Sequence, residues 1–412
     1  MTGNGHPVSQ GRGGRCLEGM TTIEVVVIGG GYAGVMAANR LTRRDDVTVT
    51  LINPRPRFVE RIRLHQLAGG TADAVVDFPE VLARRVTLRV GAVARIDAPA
   101  RRLTLGDNST INYDFLVYAA GSGSRPDTPG DAYPIATYEQ AQRLRRALRP
   151  GTPVVVAGGG PTGIETAAEL AEAGHPVTLA CGGVLGPYLH PRGRRTTARQ
   201  LSALGVTVAE GPGSVVTDVI PGGATLADGR HIPGLTVWTA GFSVPDLAAR
   251  SGLSTDPAGR LRTDETLTSV DDDRIVAAGD AAAPSERSFR MSCQAAGPLG
   301  AHAADTVLAR IAGKPPSPVV IGFVGQCLSF GRRAGMFQFS HRDDTARPAR
   351  IAGVPGAKIK QLVCWGTVKQ LAMEARRPGT FFVPSWMAGR RAGETAVPGQ
   401  AGGPPQQLAG RP

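Results

Sequence analysis

The feature that most constrains this chain is a strand running straight into a glycine-rich turn and a helix, and it occurs twice. The run IEVVVI, Ile23–Ile28, leads into Gly29-Gly30-Gly31-Tyr32-Ala33-Gly34 and the helical VMAANRL. PVVVA at 153–157 leads into Gly158-Gly159-Gly160-Pro161-Thr162-Gly163 and IETAAELAEAG. In a GxGxxG turn of this kind the first glycine allows the tight bend. The second lets the backbone approach a pyrophosphate, and the third lets helix pack closely on strand. The helix start then offers free N–H groups and the positive end of its dipole to the phosphates. One glycine string is weak evidence, but two strand-bounded copies predict two dinucleotide-binding units. Gly29, Gly31 and Gly34 are the expected cofactor-binding residues of the first, and Gly158, Gly160 and Gly163 those of the second.

A chain of 412 residues is long enough for two or three compact units. Short Val/Ile/Leu runs alternate with Ala-rich helical patterns, so the expected class is α/β: parallel sheets covered by helices, in two Rossmann-like domains. Residues 1–21 and 389–412 are polar or Gly/Pro-rich without periodicity and read as disordered tails. Cysteines at 16, 181, 293, 327 and 364 form no CxxC or CxxxxC pair. That spacing argues against a disulfide framework, a local dithiol relay and a structural metal. No apolar run is long enough to span a membrane and the start lacks the apolar core of a signal peptide, so a cytoplasmic protein is expected, with contact at a membrane surface left open.

Two dinucleotide sites on one chain suggest two nucleotides that react with each other. Flavin and nicotinamide are the economical pair, because hydride transfer belongs to the cofactors and the protein need only hold them face to face. In each unit the second strand should end in an acid that holds ribose hydroxyls. The strand VTVTLI ends in Asn53, 19 residues after Gly34, which can still hydrogen-bond a ribose. HPVTLA ends in Cys181, 18 residues after Gly163, and a thiol does not replace a carboxylate. The choice between NADH and NADPH is therefore open. Arg192, Arg194 and Arg195 could meet a 2′-phosphate or be a solvated helix start.

Together these residues resemble the two-dinucleotide flavoproteins of the pyridine nucleotide-disulfide oxidoreductase superfamily, and within it the type II NADH dehydrogenases and apoptosis-inducing-factor-like oxidoreductases. The resemblance runs from about residue 23 to 312. It is carried also by TINYDFLVYAAGS at 110–122, which contains Gly121, by TVWTAGF at 236–242, and by RIVAAGDAAA at 274–283. In the last, Gly279 and Asp280 match the family's flavin-binding turn, whose aspartate holds the ribityl chain. The resemblance implies an FAD domain at 22–125 and 245–312, split around an NAD(P) domain at 126–244, with a C-terminal α+β segment at 313–388 as cap or interface. It further implies FAD as cofactor, NADH or NADPH as co-substrate, and an FAD-dependent NAD(P)H oxidoreductase. With CxxxxC missing, electrons must pass from reduced flavin directly to an acceptor.

The family position also implies that Glu165 orients the nicotinamide. Glu169 lies four residues on, on the same helix face, and a carboxylate near a helix start is in any case favoured by the dipole. MSCQAAG at 291–297 resembles the AQxxQ stretch beside the quinone pocket of type II NADH dehydrogenases. Gln294 keeps the first glutamine, and Gly297 stands in place of the second. Cys293, His65 and His302 read as packing or surface residues.

The net charge of +12 is concentrated late, since residues 331–412 hold 13 basic and 4 acidic side chains. There Cys364, Trp365, Val368, Leu371, Ala372 and Ala375 follow helical spacing on one expected face, with Lys369, Gln370, Glu374 and Arg377 elsewhere. TFFVPSWM follows at 380–387. Peripheral contact with the inner membrane face through 357–388, packing on the FAD domain, and a homodimer all suit this pattern. The expected acceptor is a quinone or another small molecule. The alternatives are a small iron-sulfur protein, or a flavoprotein with a cationic nucleic-acid surface, for which no nucleic-acid motif is present.

Overall fold

The computed structural model describes residues 22–285 and 288–382. The expected tails therefore lie outside the described residues, as does the aromatic segment beyond Phe382. The chain builds two five-stranded parallel sheets of matching plan. The first has the spatial order Ile275–Ala277, Phe115–Tyr118, Ile23–Ile28, Val47–Asn53, Val86–Val90. The second runs Tyr133–Pro134, Leu235–Trp238, Val154–Ala157, Val177–Ala180, Thr207–Ala209. In each, the strand before the glycine turn is central, because a short helical crossover returns the chain beside it in parallel. Ile275–Ala277 rejoins the first sheet only after the second is complete.

The central strands are covered on both faces and are apolar without alternation: Val25, Val26 and Val27 are at most 1% exposed, as are Val154, Val155 and Val156. The helix after the first turn, Tyr32–Leu41, packs on the long helix Cys293–Ile311 in one core. At their crossing Gly300 touches the Ala33 backbone so closely that a Cβ would collide with it.

The C-terminal segment joins the two halves. Its antiparallel sheet, Gly325–Phe330, Ala334–Ser340 and Ala346–Gly353, places Leu328, Phe330 and Met336 in the core around the second-turn helix Pro161–Glu172. The helix Val354–Arg376 follows and sends Leu371 into the core of the first half. This helix departs from the expected face. Cys364, Leu371 and Ala372 are buried, but Trp365 is 56% exposed, while Lys360 and Glu374 point inward. Helical spacing identified which residues share a stripe, but polar partners on neighbouring elements decided which stripe turns inward. Glu374, fully buried, accepts from Gly379 N at 2.6 Å and Phe381 N at 2.7 Å, and Arg40 reaches it at 3.4 Å. The chain is thus pinned where it leaves the helix.

Candidate active site

The two glycine turns are nearly superposable in their sterics. Gly29 and Gly158 hold φ of +100° and +119°, and a Cβ on Gly34 or Gly163 would collide with the carbonyl oxygen of Gly29 or Gly158. The middle glycines differ from their neighbours: around Gly31 and Gly160 no atom lies within 4 Å of a Cβ position. Each turn therefore leaves open space at the helix start where unpaired backbone N–H groups gather. The flanking strand ends differ. Asn53 Oδ1 accepts Gly30 N–H at 2.9 Å and its Nδ2 donates to Arg55 O at 2.7 Å. The Cys181 thiol makes no such bond and lies against Gly159.

Over the first turn, a turn of 3-10 helix at Gly279–Ala281 presents Asp280. Ser122 Oγ donates to Asp280 Oδ2 at 2.7 Å. Arg61 Nη1 donates to Ser122 Oγ at 2.9 Å and approaches Asp280 at 3.4 Å. Gly121, at φ +68°, keeps this corner open. Arg61 Nε is buried without a partner. A buried guanidinium N–H lacking an acceptor is costly, and a phosphate or hydroxyl oxygen would complete it.

The second-turn helix carries Glu165 and Glu169 into the junction with the C-terminal segment. Glu165 Oε1 accepts from Lys360 Nζ at 2.9 Å, Ser329 N at 2.8 Å and Ser329 Oγ at 3.1 Å. His65 Nε2 lies 3.3 Å from Ser329 Oγ, and its Nδ1 is 3.9 Å from Glu165 Oε2. Burial pushes the Glu165 carboxyl upward, but the ammonium of Lys360 and these hydrogen bonds outweigh it and hold the group below its usual range. Lys360 is held protonated in the same way: burial opposes the charge and Glu165 restores it. His65 is neutral, since burial lowers its pKa to about 4. Glu169 is placed apart from this set. It accepts from Thr71 Oγ1, its other oxygen is buried without a partner, and burial raises its pKa. With its side-chain amide assigned by its neighbours, nitrogen towards Gly325 O at 3.0 Å and oxygen towards Val324 N at 2.8 Å, Gln294 ties the start of the long helix to the C-terminal sheet. Cys293 is a protonated thiol, its pKa raised by burial to about 11.

Sequence reasoning placed the glycines at strand-to-helix turns and Glu165 on the second-turn helix, and singled out Asp280 and Gln294 by resemblance; the structure puts Asp280 in the short 279–281 turn and Gln294 at the start of Cys293–Ile311. It missed Arg61, Ser122, Ser329 and Lys360, and read His65 as packing. The rarity of lysine was an unused signal: the chain has only Lys314, Lys358, Lys360 and Lys369.

The open cradles at Gly31 and Gly160 and the unpartnered Arg61 Nε suit FAD at the first turn and a nicotinamide dinucleotide at the second. The protein class follows from this geometry and from a family match over residues 23–300: the chain belongs to the pyridine nucleotide-disulphide oxidoreductase family. FAD with NADH as co-substrate is the cofactor pair of that family, an oxidoreductase family. The chain is similar to an NADH dehydrogenase-like protein of Mycobacterium tuberculosis, 30% identical over 377 residues, covering 82% of this chain and 92% of that protein. It is 29% identical to the type II NADH:quinone oxidoreductase Ndh of the same species over 71% of this chain and 74% of that one. Among solved structures it shares the fold of the sulfide:quinone oxidoreductase from Aquifex aeolicus, with a TM-score of 0.73 and 18% identity over 87% of this chain and 93% of the other.

Proposed function

We propose that this protein is an FAD-dependent NAD(P)H oxidoreductase that reduces a quinone. The observation that carries the reading is the pair of matching cradles, with one helix leading from the second of them to an ionised carboxylate at the junction. Bound FAD would supply the hydride-accepting and electron-donating chemistry between the nicotinamide and the acceptor. The protein's own part is to bind and orient. The N–H groups at the start of Tyr32–Leu41, with Arg61, would hold the flavin pyrophosphate, and Asp280, steadied by Ser122, would accept from its polyol chain. Glu165 Oε1 is occupied by three donors, which leaves Oε2 to accept an N–H of the nicotinamide carboxamide. Lys360 keeps that carboxylate ionised. Glu169 and Gln294 act as positioning residues, the one through Thr71 and the other through the backbone at 324–325.

The test is stopped-flow reduction of purified, flavin-loaded protein by NADH and NADPH, followed by reoxidation with quinones, oxygen and an iron-sulfur protein. Protein that takes up no FAD, or bound flavin that neither nucleotide bleaches, would sink the proposal. A quinone should reoxidise it fastest, and a ferredoxin winning instead would transfer the reading to an iron-sulfur partner.

For location, we propose peripheral membrane contact through the C-terminal helix. Leu362, Trp365 and Met373 are exposed on one stripe, Phe382 is 74% exposed just beyond it, and Lys369 lies over the Trp365 ring at 5.7 Å. Lys358, Arg376 and Arg377 are also exposed. Basic residues near an anionic surface each contribute about 1 kcal/mol. Flotation with anionic vesicles should recover the protein, and Trp365→Ser should reduce that recovery. No helix among the described residues is long and apolar enough to cross a membrane.

A further inference from the structure

In a dinucleotide-binding unit an acid at the end of the second strand takes the ribose hydroxyls of NAD(H), and a nearby arginine takes the 2′-phosphate of NADP(H). Here that strand, Val177–Ala180, runs out at Cys181, whose Sγ lies 3.0 Å from where a Cβ on Gly159 would sit. A thiol is a weak partner for a hydroxyl, and this one stays uncharged: burial, with the Glu210 carboxylate adding to it, pushes its pKa to about 12.

A carboxylate follows the end of the neighbouring strand. Thr207–Ala209 runs parallel to Val177–Ala180 with Ala209 opposite Ala180, and Cys181 N donates to Ala209 O at 2.9 Å. Residues 181 and 210 therefore leave the sheet side by side. Glu210 is exposed, and its Oε1 accepts Leu185 N–H at 2.7 Å. The loop it grips, 182–186, folds back until Gly186 N donates to Gly159 O at 2.8 Å, which makes it a wall of the second cradle. Three arginines lie near the start of the helix that follows this loop. Arg194 Nε donates to Leu189 O at 3.3 Å, and Arg192 and Arg195 are exposed on this helix, Pro191–Ala203, which Arg350 ties to the C-terminal sheet through Thr196 at 2.8 Å.

We infer that Glu210 sets the choice of nicotinamide: its carboxylate stands in for the missing strand-end acid, accepts from the adenosine ribose hydroxyls of NADH and repels the 2′-phosphate of NADPH. This deepens the reading of the second turn as a nicotinamide site and rests on it.

Glu210→Gln is the decisive variant, because glutamine keeps an oxygen for Leu185 N–H and removes only the charge. Flavin-loaded wild type and variant are compared by kcat/KM with NADH and NADPH, and by calorimetric titration with NAD+, NADP+ and 2′,5′-ADP. Wild type should favour NADH, and the variant should lower the NADH:NADPH ratio by about tenfold, roughly what one removed charge contributes at an exposed site facing a doubly charged phosphate. NADP+ and 2′,5′-ADP should bind more tightly to the variant, with NAD+ changed little or weakened. A ratio unmoved by Glu210→Gln, or a wild type that prefers NADPH, overturns the inference while leaving the oxidoreductase reading in place. Wild type that binds neither dinucleotide overturns that reading and this inference with it.

Discussion

The two glycine turns share one backbone solution and differ in what is built around it. Both pack the first and third glycines and leave the second open. At the first, Tyr32 and Ala33 are buried and a polar corner of Arg61, Ser122 and Asp280 closes over the cradle. At the second, Pro161 and Thr162 are half-buried, and the helix carries its charge inward at Glu165, away from the turn. Backbone sterics define a site that any dinucleotide can use. Burial and side-chain polarity separate a cradle suited to a resident cofactor from one suited to a nucleotide that comes and goes.

The strongest way to break this comparison is Lys360→Met. It leaves Glu165 buried with its principal counter-charge gone, a change that typically costs about 3–5 kcal/mol. Thermal unfolding near neutral pH should show a loss of that size, and Lys360→Arg should recover part of it. Indifference to Lys360→Met would mean that Glu165 is not ionised and the contrast between the two helices is only apparent.

Next in size, the shared sterics can be tested separately at each site. Gly34→Val and Gly163→Val each force a side chain into a carbonyl of the same turn, and overpacking of this kind costs about 3 kcal/mol. If the turns have divided roles, the first variant should lose flavin and the second should keep flavin while losing reduction by NADH. Equal loss of flavin in both, by absorbance of the purified proteins, would dissolve the division.

The glycine turns and sheets were legible in the sequence because their determinants are local: a strand of Val25 to Val27, a turn with no tolerance for a Cβ, a helix next in line. Asp280 was singled out by the resemblance of the short run at 274–283 to a family turn, and the structure brings it beside Ser122 and Arg61. The cluster around Glu165 was not, because its members are brought together by folding. Ser329 is 164 positions from Glu165 and 264 from His65, and no local pattern marks either. Trp365 and Glu374 make the same point in reverse. The spacing of the last helix was read correctly, but Glu374 turns inward because three donors at 379–381 and Arg40 await it, and Trp365 is left outside.

A smaller effect comes from His65, which belongs to the second region only. Its pKa falls from the ordinary 6.5 to about 4 in the folded protein through burial. Between those values the unfolded chain binds a proton that the folded chain does not, so stability falls as pH drops through this window. The span corresponds to a loss on the order of 3 kcal/mol at most, since nearby groups titrate with it. His65→Asn should flatten the acid limb of a stability-against-pH curve from urea unfolding. An acid limb identical to wild type would place the titrating group elsewhere.

The smallest effect sharpens the comparison at the strand ends. Asn53 looks like a weakened form of the expected acid, but its geometry gives it a function that an acid lacks. Its oxygen accepts Gly30 N–H and its nitrogen donates to Arg55 O, so the amide braces both the turn and the segment that leads to Arg61. In Asn53→Asp the first bond survives and strengthens with charge, while the second is replaced by a carboxylate oxygen facing a carbonyl at about the same distance. One lost hydrogen bond with an unpaired acceptor costs about 1 kcal/mol. The variant should therefore be slightly less stable than wild type without flavin, by thermal melt, even though it restores the residue usual at that position. At Cys181 the thiol braces nothing, but burial and the neighbouring Glu210 carboxylate disfavour a charge there, so Cys181→Asp should lose stability for a different reason, and more so above the carboxylate range of pH. If Asn53→Asp melts at or above the wild-type temperature, the amide braces neither the turn nor the segment after it.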